Sequence, residues 1–137
     1  MHTPAHTQRI LVADDDPVIR RLVTRFVEQE GYEPVVVDDG GAAYRLLQLD
    51  SEFCGAIFDM MMPHLEGLDI MRFMRTEKRL MRIPVMLMTS EKDLKLMANS
   101  FAAGVTLFLP KPFTMEQFQK TLRLLLNNKS HQTTLSR

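Results

Sequence analysis

A chain of 137 residues that is 45% hydrophobic and 25% charged has the apolar content of one folded domain and is neither disordered nor fibrous. Its 17 Lys+Arg balance its 17 Asp+Glu, which leaves no net pull toward nucleic acid or an anionic membrane, and no apolar run approaches the ~20 residues of a membrane span. The single cysteine, Cys54, excludes an internal disulfide framework and suits a reducing, cytoplasmic setting.

Residues 1–8 are polar and read as a loose leading segment. Arg9-Ile-Leu-Val-Ala13 is an apolar run of strand length, cut off by Asp14-Asp15-Asp16-Pro17. An aspartate side chain can cap free helix N–H groups and a proline has none to lose, so Asp16 and Pro17 predict the start of a first helix. Its apolar face would be Val18, Ile19, Leu22, Val23, Phe26 and Val27, with Gly31 ending it. Glu33-Pro-Val-Val-Val-Asp38 predicts the second strand, its proline near the start, where a missing N–H is tolerated. Asp38-Asp39-Gly-Gly leads into a second helix through Ala42, Ala43, Leu46 and Leu47.

Cys54-Gly-Ala-Ile-Phe-Asp59 is the third strand, an apolar run ending in a carboxylate, and Pro63 punctuates the loop beyond it. A third helix is expected from Glu66 to about Thr76, with Leu68, Met71 and Met74 inward. Ile83 to Met88 predicts the fourth strand, followed by Thr89-Ser90; residues 92 to 102 the fourth helix, stopped by Gly104; and Val105 to Leu109 the fifth strand. After Pro110-Lys111-Pro112-Phe113, Thr114 and Gln117 form a capping box for a fifth helix, whose apolar face is Met115, Phe118, Leu122 and Leu125. The folded domain would then span residues 9–126, with 127–137 a polar, frayed tail.

Five strands alternate with five helices, and the strands are continuous apolar runs. Such strands are buried on both faces, which calls for an α/β fold with a parallel sheet and helices on each side. Functional groups in that architecture gather beyond the carboxyl ends of the strands. Those ends carry Asp14 and Asp15, Asp59, Thr89 and Lys111. Converging carboxylates need a cation between them, and an all-oxygen set suits Mg²⁺, which favours one or two carboxylates plus a phosphate oxygen. A carboxylate is also a competent phosphoryl acceptor, with metal and lysine neutralising the transferred group, so Asp59 is the candidate nucleophile.

Ile10-Leu-Val-Ala-Asp14-Asp15-Asp16, Asp59-Met-Met-Met-Pro63 followed by Gly67, Met88-Thr89-Ser90 and Lys111-Pro112-Phe113 resemble the signature of response-regulator receiver domains of bacterial two-component systems, over about residues 8 to 126. The resemblance implies a flavodoxin-like, doubly wound (βα)5 domain with strand order 2-1-3-4-5. It implies Asp59 as phosphoacceptor, Asp15 as a direct Mg²⁺ ligand, Asp14 supporting the metal largely through water, the Met61 backbone carbonyl completing the ligands, and Lys111 pairing with the phosphoryl group. Thr89 would follow that group inward together with Phe108, at the family's aromatic switch position, repacking the face made by the fourth helix, fifth strand and fifth helix. The Lys111-Pro112 bond is expected in cis. The implied phosphodonor is a histidine kinase or a histidine phosphotransfer protein, the implied output a downstream protein, and the repacked face a surface through which a homodimer could form. Such a domain is a switch that assists its own phosphorylation and dephosphorylation, not a turnover enzyme, and needs no direct contact with nucleic acid or membrane.

Several positions depart from the pattern or flank it. Pro110 directly precedes the lysine, Phe108 stands where a tyrosine is common, and Met61 with Glu91 would flank the entrance to the acyl phosphate. His64 reads as a solvated loop residue, and Arg72, Arg75, Lys78, Arg79 and Arg82 as a solvated basic face or, alternatively, a docking site for an acidic partner. The rival from another class is a phosphorylation-independent interaction module on the same fold. A flavin-binding relative is disfavoured, because the acidic triplet after the first strand would repel the phosphate that such a loop must cradle.

Overall fold

Continuous apolar runs bounded by aspartate, proline and glycine produce five short strands: β1 (Arg9–Ala13), β2 (Glu33–Val37), β3 (Gly55–Asp59), β4 (Val85–Thr89) and β5 (Leu107–Pro110). The computed structural model describes residues 8–90, 104 and 107–135, with the side chains of the last helix described as far as Asn127. The helices are α1 (Pro17–Gln29), α2 (Gly40–Leu49), α3 (Gly67–Arg75) and α4 (Met115–Leu135). The helix expected over 92–102, residue Glu91, and the first residues of the expected fifth strand lie outside the described residues, so α4 is the fifth helix of the sequence-based count.

All strand pairs are parallel and the order is β2-β1-β3-β4-β5. Alternate residues of the inner strands feed two separate cores. Leu11, Ala13, Ala56, Phe58, Val85 and Leu87 pack with α2 and α3 on one side. Ile10, Val12, Ile57, Met86 and Met88 pack with Val23, Phe26 and Val27 of α1 and Phe118, Leu122 and Leu125 of α4 on the other. Burial on both faces explains why the strands read as unbroken apolar runs, and the expected flavodoxin-like fold is the one observed.

Most boundaries fall where the local chemistry put them. Asp16 caps α1, its Oδ1 accepting from the amides of Val18 at 2.9 Å and Ile19 at 3.4 Å. Thr114 and Gln117 cap α4 reciprocally at 2.9 and 3.0 Å. Gly31, at φ +90, closes α1 in a conformation that side-chain-bearing residues rarely adopt. The Lys111-Pro112 bond is cis. Pro110 falls inside β5, an edge strand, where its missing N–H breaks no ladder between inner strands.

Four expectations need correction. The helix α4 continues to Leu135, through the segment read as a frayed tail, because residues 127–135 contain no Gly or Pro to stop it; polarity marked the end of the core, not of the helix. Val18 is 64% exposed and Met115 45% exposed, since both occupy the first turn of their helices at the loop end of the sheet. The β4 strand starts at Val85, two residues after Ile83, and includes Thr89. The basic run is not merely a solvated face. The Arg75 guanidinium is half-buried and donates to the carbonyls of Met81, Ile83 and Gly104 at 2.9–3.2 Å, and Arg79 and Arg82 donate to the carbonyls of Gln48, Ser51 and Phe53. Burial lowers the pKa of Arg75 from its ordinary value, and the side chain works as a backbone staple at the amino-end of the sheet.

Candidate functional site

Parallel register brings the strand ends together. Ala13 pairs with Phe58, which sets Asp14 level with Asp59; Asp59 pairs with Met88, which sets Thr89 one step beyond; and Thr89 pairs with Pro110, which sets Lys111 one step beyond again. Gly67 seals the floor. A Cβ there would lie 2.5 Å from the Asp59 carbonyl oxygen, so only glycine lets α3 begin so close to the end of β3.

Asp14 is fully buried, Asp59 is 7% exposed, and Asp15 is exposed at the mouth. One carboxylate oxygen from each lies within 4.8 Å of the others. Lys111 Nζ stands 3.2 Å from Asp59 Oδ1 and 3.7 Å from Asp14 Oδ2. Asp14 Oδ1 accepts the Asp16 amide at 2.8 Å, while Oδ2 is buried without a hydrogen-bond partner among the described residues. Thr89 is buried, and its carbonyl accepts the Lys111 amide at 2.7 Å, which anchors the strand carrying the ammonium.

The electrostatics follow from this crowding. Burial pushes the Asp14 carboxyl up to about 6, against the pull of the Asp16 amide, with the negative charge of Asp59 adding to the rise and Lys111 opposing it. Burial also raises Asp59, opposed by the charge and hydrogen bond of Lys111 and by the amide of Met61, which donates to its carboxylate. An orphaned buried oxygen in a three-carboxylate pocket is the donor set of a hard divalent cation, and Asp14, Asp15 and Asp59 fit Mg²⁺.

The structure thus brings together every strand-end residue singled out in the sequence. Met61 lies at the rim with a side chain 54% exposed between the buried Met60 and Met62, and Phe108 is partly buried against the α2/α3 core. His64 is exposed, at φ +72. One residue was missed. Arg20 of α1 donates through Nη1 to the Asp14 carbonyl oxygen at 2.9 Å, and an arginine six residues past an aspartate has no spacing signature that would reveal this.

A five-stranded parallel sheet in this order, with an acidic pocket and a lysine over its carboxyl edge, defines a doubly wound receiver-type domain. The model of the response regulator receiver domain matches residues 10–123, and the chain belongs to that family. It is 29% identical over 119 residues to the chemotaxis protein CheY1 of Helicobacter pylori, covering 86% of this chain and 96% of the relative. The solved chemotaxis response regulator CheY4 of Vibrio cholerae is 29% identical with a TM-score of 0.81, covering 88% of this chain and 99% of that one. The receiver domain of the sensor histidine kinase PA1611 of Pseudomonas aeruginosa, solved with magnesium in its active-site cleft, is 26% identical with a TM-score of 0.78 over 88% of this chain and 98% of that one.

Proposed function

We propose that this receiver domain takes a phosphoryl group onto Asp59 from a phosphohistidine donor, a histidine kinase or histidine phosphotransfer protein, and answers by changing a partner-binding surface. The observation that carries this is the pairing of Lys111 with Asp59 at 3.2 Å inside a pocket of three carboxylates. In the transfer an Asp59 carboxylate oxygen forms the new O–P bond as the donor's N–P bond breaks, and the freed imidazole keeps the bond's electron pair. Burial excludes water from the acyl phosphate, the Met61 amide orients the Asp59 carboxylate, and the Lys111 ammonium compensates charge on the transferred group. Asp14, Asp15, Asp59 and the Met61 carbonyl would hold Mg²⁺, which supplies charge neutralisation at the phosphoryl oxygens when bound.

The Thr89 hydroxyl would then bond a phosphoryl oxygen and draw Phe108 inward. Phe108 lines a groove of about 280 Å³ with Pro110, Pro112, Gln117, Lys120 and Thr121, between β5 and α4, and its movement would reshape that face. The same face would serve a downstream protein or a second copy of the chain. The domain is a switch rather than a turnover enzyme.

Incubation with acetyl phosphate and Mg²⁺, followed by hydroxylamine, tests the chemistry. Label that is released by hydroxylamine and absent from Asp59→Asn is the expected result. No label, or label that survives hydroxylamine, contradicts it and leaves the interaction-module reading.

A further inference from the structure

Asp14 is the most deeply buried carboxylate of the acidic pocket, and part of what holds it lies in the turn that follows β1. Its amide makes only a long 3.4 Å bond to the Val37 carbonyl, so β2 holds it weakly. Its Oδ1 is held by the Asp16 amide at 2.8 Å, a bond that orients the carboxylate only while the turn from Asp14 to Asp16 keeps its shape. Arg20 closes that turn at both ends: its backbone amide donates to the Asp16 carbonyl at 2.9 Å, and its guanidinium reaches back to the Asp14 carbonyl at 2.9 Å. The result is a fully buried carboxylate with Oδ2 lacking a hydrogen-bond donor among the described residues and standing 3.7 Å from Lys111 Nζ. Leaving a buried carboxylate oxygen undonated is costly, so an unrestrained Asp14 would turn it toward water.

Granting the Mg²⁺ pocket proposed above, we infer that Arg20 is a positioning residue for that pocket: by clamping the β1–α1 turn it keeps Asp14 Oδ2 presented inward, and thereby sets the affinity for the divalent cation. The role is mechanical. The guanidinium binds a backbone carbonyl, not a carboxylate of the site, so what it contributes is geometry. Removing a support that orients a metal ligand typically costs roughly ten- to a hundredfold in metal affinity.

The test uses the whole chain and Mg²⁺ itself. Mg²⁺ affinity is measured by titration calorimetry, and hydrogen exchange of the Asp16 amide is measured without metal, in the wild type, Arg20→Met, Arg20→Lys and Arg21→Met. Arg21 is the exposed neighbour that controls for loss of surface charge. Arg20→Met is expected to weaken Mg²⁺ binding about tenfold or more and to speed Asp16 exchange, while Arg20→Lys, which can still donate to the carbonyl, recovers most of both. Arg21→Met should change neither. Should Arg20→Met fail to fold, Arg20→Gln, too short to reach the carbonyl, is expected to show the same losses. Unchanged affinity in Arg20→Met, equal weakening in Arg21→Met, or weakening without faster Asp16 exchange overturns the positioning role while leaving the pocket intact. A wild type that binds no Mg²⁺ overturns the pocket reading and this one together.

Discussion

Lys111 Nζ lies 3.2 Å from Asp59 Oδ1, the shortest ion pair in the pocket, and its charge opposes the rise that burial imposes on the Asp59 carboxyl. Its 3.7 Å approach to Asp14 makes one ammonium serve two acids that burial would otherwise neutralise.

Replacing Lys111 with methionine keeps an unbranched side chain one atom shorter and removes its charge. Phosphorylation by a small acyl phosphate is expected to slow by about 100-fold, the usual cost of losing one preorganised charge-stabilising donor. Stopped-flow or timed-quench rates on the variant check this, and a rate close to wild type would remove Lys111 from the chemistry.

Metal-free stability should depend on pH in a definite sense. Asp14 is raised from its ordinary 3.8 to about 6 and Asp59 is raised too, so the folded chain binds protons more tightly than the unfolded chain. The Asp14 contribution is fully present below about 3.8 and is lost as pH rises through about 6, and that of Asp59 is lost in the same direction. Asp50, lowered by its hydrogen bond from Arg9, acts in the opposite sense and loses its contribution as pH falls through the carboxylate range. Thermal melts without metal should therefore show Tm falling between about pH 4.5 and 6.5, and Asp14→Asn should flatten that fall and raise Tm at pH 7 by about 4 °C, equivalent to roughly 1 kcal/mol at this size. Saturating Mg²⁺ should stabilise the wild type by about 3 kcal/mol at a hundredfold excess over Kd.

Gly67→Ala would place a methyl 2.5 Å from the Asp59 carbonyl oxygen and 3.1 Å from Phe58 Cβ. Because backbone must move to admit it, a loss of about 1–3 kcal/mol in denaturant unfolding is expected, with slower phosphorylation as β3 shifts. Unchanged stability together with unchanged rate would show that the start of α3 has slack there.

Met61 presents an exposed apolar side chain beside the acid that its own amide orients. Met61→Asn should shorten the life of the acyl phosphate on the order of threefold, because an amide can hold a water at the pocket mouth. An unchanged dephosphorylation rate would discard the idea.

The fold was legible because the cues were local and consistent. Asp16-Pro17, Gly31 and the Thr114–Gln117 box each act within a few residues, and burial on both sheet faces writes itself as the runs Ile10–Ala13 and Val85–Met88. The site was legible for a different reason: a parallel sheet delivers Asp14, Asp59, Thr89 and Lys111 to one rim once the strands are placed. Contacts set by side-chain reach across the fold were not. Arg20 on the Asp14 carbonyl and Arg75 on the Gly104 carbonyl join residues whose proximity depends on helix placement, and arginine at either position reads equally well as surface charge. Composition likewise located the end of the core near Leu126 but not the end of α4, since nothing in residues 127–135 breaks a helix.

The most direct measurement is the intact mass of the chain after incubation with phosphoramidate and Mg²⁺, whose N–P bond mimics the phosphohistidine donor. Gain of one phosphoryl group by the wild type, abolished by chelating the metal and by Asp59→Asn, is the expected result. A wild type that gains nothing, or an Asp59→Asn chain that gains the same group, would contradict the assignment of Asp59 as phosphoacceptor.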